Sequence, residues 1–136
     1  MPEINDEEPW EYTIYIPHDT RAVTVCRRAL RLILAAHELP HLSDMAELLA
    51  TELIGNAVRH TKGPAALGLR WAGGILRIGA WDADPTPPTP LLCTPTDAEN
   101  GRGLELVRSC ADGWGWHALN SPGDSGKYVW CELASA

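Results

Sequence analysis

The stretch from Ser43 to Thr61 constrains the fold most, because it carries two stripes at helical spacing that need different surroundings. Met45, Leu49, Leu53 and Ala57 make an apolar stripe, and Glu52, Asn56 and His60 make a polar one beside it. At about 100° per residue, positions four apart drift by only about 40°, so each set keeps to one edge of a helix. The apolar edge must be buried. The polar edge then lies at the margin of a core, where an acid, an amide and an imidazole each cost free energy unless satisfied. Ser43 is placed to cap this helix, Asp44 meets the positive end of its dipole, and Gly63 can end it in a left-handed conformation.

Alternation elsewhere marks the sheet that receives it. Tyr12, Ile14 and Ile16 alternate with Thr13 and Tyr15, a strand stopped at Pro17. A helix capped by Asp19 or Thr20 follows, with Val23, Cys26, Leu30, Ile33, Leu34 and His37 at core spacing and Arg27, Arg28 and Arg31 on a solvated side. It ends at Leu39, since Pro40 disfavours the helical conformation in the residue before it. Residues 65–71 and 75–82 alternate about Gly73 and Gly74, which predicts a hairpin. In its second strand Leu76, Ile78, Ala80 and Asp82 share a face. A lone carboxylate at the rim of a core needs a donor, from protein or from ligand, unless Asp82 merely starts a turn.

Residues 84–100 hold five prolines and no periodicity, which suits a lid or binding loop. They run into Gly101, Arg102 and Gly103, after which Leu104, Val107 and Ala111 mark a third helix. The first amides of such a helix form a site for an anion. Trp114–Leu119 and Lys127–Leu133 read as closing strands. The order β, α, α, β, β, loop, α, β, β predicts an α/β two-layer sandwich, a mixed and largely antiparallel sheet with helices packed on one face. Residues 1–10 are acidic and expected to be disordered; residues 11–136 are of single-domain size.

A net charge of −7 with only two lysines excludes a phosphate-backbone binder, so no nucleic acid is expected as partner. No apolar run approaches the roughly 20 residues that cross a bilayer, and the acidic start lacks a signal peptide's basic residues. The expected location is cytoplasmic, with no membrane partner. Cys26, Cys93, Cys110 and Cys131 are scattered without metal-ligand spacing and read as small, mostly buried thiols.

Taken together, the helix with ELIGNAVRH, the strand ending in WDADP, the long lid, the GRGLELV helix start and the GKYVW strand occur in an order that resembles the GHKL ATPase and kinase superfamily. Within it, the likeness is to the small anti-sigma-factor serine kinases and similar ATP-binding regulators. It covers about Tyr12 to Leu133. The resemblance implies a Bergerat-type fold, ATP and magnesium as cofactors, and phosphorylation of a serine or threonine on a small antagonist protein. Asn56 would hold the magnesium and Glu52 would be the general base. Arg59 and His60, a turn further on, would contact phosphate or the lid. Asp82 would accept from the adenine amino group. Gly101, Arg102, Gly103 and Leu104 would wrap the phosphates. The partner implied is a regulatory protein, antagonist or sigma factor, and homodimer formation stays open.

Three departures from the family pattern stand out. Asp84 and Pro85 occupy the place of a glycine after the first aspartate, Tyr128 stands where a small threonine often helps hold adenine, and the lid is rich in proline. They motivate a second reading, a non-catalytic interaction module with weak or lost nucleotide binding.

Overall fold

The computed structural model describes residues 8–60, 65–84, 110–119 and 126–134. In chain order they form β1 (Trp10–Ile16), α1 (Arg21–Ala36), a 3-10 turn (Pro40–Leu42), α2 (Ser43–His60), β2 (Ala65–Ala72), β3 (Ile75–Asp82), β4 (Gly113–Leu119) and β5 (Gly126–Ala134). The strands make one sheet in the order β1-β2-β3-β5-β4, and every neighbouring pair is antiparallel. The architecture is therefore mixed α/β, as expected, but the described sheet is wholly antiparallel and not mixed. The third helix expected from Leu104 to Ala111 lies outside the described residues except for Cys110 and Ala111, and of the lid only Asp84 lies inside.

Period-two alternation gives the sheet two unlike faces. On the inner face Ala65, Leu67, Leu69 and Trp71 of β2 stand opposite Asp82, Ala80, Ile78 and Leu76 of β3. Leu133, Cys131, Val129 and Lys127 of β5 continue the same rows. The apolar members are buried against Cys26, Leu30 and Leu34 of α1 and Ala46, Leu49, Ala50, Leu53, Ile54 and Ala57 of α2. Fully burying a leucine-sized side chain is worth about 1.5–3 kcal/mol, so this seam is the main stabilising element. On the outer face Tyr128 lies over Gly79 and Trp130 over Gly115, each glycine leaving room that a side chain would fill. The Arg77 guanidinium stacks 4.2 Å from the Trp130 ring centre and bonds Glu132 at 2.7 Å.

Local details correct several expectations. Met45 is exposed, so the buried stripe of α2 begins at Ala46 and is broadened by Ala50 and Ile54. Ser43 does not cap α2: its backbone is helical and its N–H donates to the Pro40 carbonyl, so the 3-10 turn runs straight into the helix. At α1 the cap is Asp19 and not Thr20, whose backbone is helical and whose side chain caps nothing. Asp19 Oδ1 accepts the Arg21 N–H at 2.9 Å, and Arg21 holds its carboxyl at about 2. Arg27 and Arg31 are not merely solvated. Both bond Glu47 on α2, and Arg31 also reaches Asp44 at 2.7 Å, tying the two helices together along their outer edge. The hairpin turn falls at Gly73 and Gly74 with φ of 59° and 79°, the left-handed pair that matches strand twist.

Candidate functional site

α2 packs across β2 and β3 on the inner face of the sheet, which puts the ELIGNAVRH residues on the same side as Asp82. Asn56 is 3% exposed, and its Oδ1 has no hydrogen-bond partner. Among the described residues this is the one buried side-chain polar atom so left. A buried acceptor without a donor carries its full desolvation cost, of the order of 1–3 kcal/mol, and folds keep few such groups. Glu52 lies one turn before it and is half-buried. Arg59 and His60 belong to the last turn of α2, but their side chains lie outside the described residues. Gly101, Arg102, Gly103 and Leu104 lie outside them altogether.

Asp82 ends β3 on the inner face and is 1% exposed, as its parity predicts. The donor it needs comes from the protein. Lys127, directly opposite on β5 and 2% exposed, sets its Nζ 3.1 Å from Asp82 Oδ1. The chain then turns back, so that the Asp84 N–H donates to the same Oδ1 at 2.8 Å and the Asp84 carbonyl accepts from Lys127 Nζ at 3.0 Å. Burial pushes the Asp82 carboxyl above the usual carboxylate range, against the pull of the Asp84 amide and the Lys127 ammonium. Gly126 makes this closure possible. Its φ is 140°, and a Cβ there would collide with the Asp82 carbonyl oxygen. Both contacts of Asp84 use its backbone, so they do not depend on its side chain.

Tyr128 has a different place from the one its bulk suggested. It projects from the outer face, beside His117 at 5.6 Å between ring centres, with its own hydroxyl pushed up by burial. It therefore does not crowd the Asp82 side of the sheet. The residue that does occupy that position is Lys127, which stands in step with Val129, Cys131 and Leu133 and could be found by counting parity along β5. Among the described residues, no three His, Cys, Asp or Glu side chains gather as a metal cluster, and no helix is long and apolar enough to cross a membrane.

The arrangement offers an unpaired amide oxygen on a helix, an acid one turn earlier, and a buried acid–base pair at the end of two adjacent strands. No family model matches the chain, and no curated protein matches it.

Proposed function

We propose that the protein is an ATP-binding regulator with a Bergerat-type fold, a magnesium-dependent serine/threonine kinase of the anti-sigma-factor type acting on a small antagonist protein. The observation that carries this reading is the buried, unpartnered Oδ1 of Asn56, an acceptor that the fold itself leaves without a donor. Magnesium takes hard oxygen ligands and keeps several waters, so one amide oxygen together with nucleotide phosphates is a sufficient set. When bound, the ion would neutralise charge on the phosphate oxygens. Asn56 would hold it, and Glu52, a turn earlier, would orient the attacking hydroxyl and take its proton. Asp82 would meet the base, and the segment from Gly101 to Leu104 would supply backbone amides to the phosphates.

Titration of ATP with magnesium by calorimetry tests the assignment. Asn56→Ala is expected to abolish magnesium-dependent binding; an unchanged affinity would remove Asn56 from the site. Glu52→Ala is expected to bind ATP as before while failing to label a partner protein from γ-labelled nucleotide.

One observation favours the second reading. Asp82 already holds two donors, the Asp84 amide and the Lys127 ammonium, so it does not depend on a ligand for satisfaction. On that reading the chain is an interaction module that holds a regulatory protein without using nucleotide.

A further inference from the structure

Lys127 is the largest of the fully buried side chains among the described residues, ahead of every leucine in the core. A lysine is almost never found there unless paired. Its pairing uses only part of its capacity, for an ammonium has three donors, and Asp82 Oδ1 and the Asp84 carbonyl take two. Its position is set by the sheet. The β3–β5 register puts Lys127 directly opposite Asp82, and the close approach over Gly126 brings Asp84 round to complete the cage.

Resting on the reading of this chain as an ATP-binding protein with Asp82 at the base, we propose that Lys127 is a base-reading residue, donating to the ring nitrogen beside the adenine amino group while Asp82 accepts from the amino group. Relative strengths decide this against displacement of the lysine. An amino group and an ammonium both make charge-assisted bonds to a carboxylate, but only the ammonium adds Coulombic attraction between opposite charges, so the amino group does not outcompete it for the same oxygen. A base that expelled Lys127 would also strand a buried charge, which is a large loss. The base is therefore read with the pair intact. An intact pair presents an acceptor and a donor side by side, and the adenine edge presents the matching donor and acceptor. A carboxylate alone would recognise the amino group only.

The test compares the full chain's affinity for ATP and for 1-deaza-ATP, in which that ring nitrogen is replaced by C–H, both with magnesium and by calorimetry. 1-Deaza-ATP is expected to bind about 10–100-fold more weakly, the range for losing a hydrogen bond to a charged group. Lys127→Met is expected to bind the two nucleotides alike, about as weakly as the unaltered chain binds 1-deaza-ATP. If that variant fails to fold, the unaltered chain alone decides the matter. Equal affinities of the unaltered chain for the two nucleotides overturn the role of Lys127 and leave the ATP site standing. No binding of either nucleotide overturns both.

Discussion

At the scale of single residues, the Asp82–Lys127 pair separates what a contact contributes from what its loss costs. Desolvating both ions offsets most of their attraction, so the intact pair adds little net stability, whereas removing one partner strands the other in the core. Lys127→Met alone is expected to cost about 3–5 kcal/mol in urea unfolding, and adding Asp82→Leu to recover most of it. Single and double variants of equal stability would mean the carboxylate finds another donor. The deficit of Lys127→Met also has a predictable pH course. Burial already raises the folded Asp82 carboxyl above its ordinary 3.8, and without the ammonium an opposing pull is gone. The folded variant then takes up a proton at higher pH than the unfolded chain does. Its deficit is full near neutral pH and shrinks as pH falls through that raised value, the sign required when the native state binds more protons. Cysteines give a second residue-scale expectation. Burial pushes the Cys131 thiol up to about 12 and raises that of Cys26, so neither is a thiolate near neutral pH. Both should resist alkylation in the native protein and react on unfolding; modification of native Cys131 would contradict its burial. The inner-face place of Asp82 is legible in the clean alternation of β3, and so is the turn it starts, since its Oδ1 accepts the Asp84 N–H; the matching parity of Lys127 is legible only by counting past the bulky Tyr128, which faces the other way.

Elements were legible wherever one period held without interruption. The hairpin, β1 and the two closing strands follow from alternation bounded by glycine or proline, and the structure extends them by only a residue or two. Helix existence was equally plain, but helix ends and faces were not. Ala46 and Ala50 are buried while Met45 is exposed, a shift of the packed face that an apolar count centred on Met45 does not capture. Strand order depends on which inner rows can be continued across the sheet, and local pattern is blind to that. The β3–β5 junction is the element most exposed to a single change. Gly126→Ala forces a side chain into a backbone region costing about 1–3 kcal/mol and against the Asp82 carbonyl, which cannot yield without moving residues 82–84. It is expected to lower stability by at least that amount and to weaken any ligand binding that uses Asp82. Leu30→Ala, by contrast, empties space in the core beneath α1 and should cost about 2–5 kcal/mol without touching the Asp82–Lys127 pair.

Across the whole molecule, the two helices cover one face of the sheet, and Asn56 on α2 and the Asp82–Lys127 pair of β3 and β5 are the buried polar groups that the proposed site draws on. These residues come from elements distant in sequence, which is why the Lys127 contact with Asp82 required the fold. A single ligand-binding measurement on the intact chain separates the two functional readings. A ligand that binds only the native state at a hundredfold excess over its Kd adds about 2.7 kcal/mol. For a domain of this size each kcal/mol is worth roughly 3–5 °C, so ATP with magnesium should raise the Tm by roughly 10 °C. Asn56→Ala should lose the shift, read against its own ligand-free Tm. An unaltered chain whose Tm does not move would leave the Asp82–Lys127 pair as a closed structural contact and favour the interaction module, because a fold that gains nothing from the nucleotide has no binding free energy to couple to a partner.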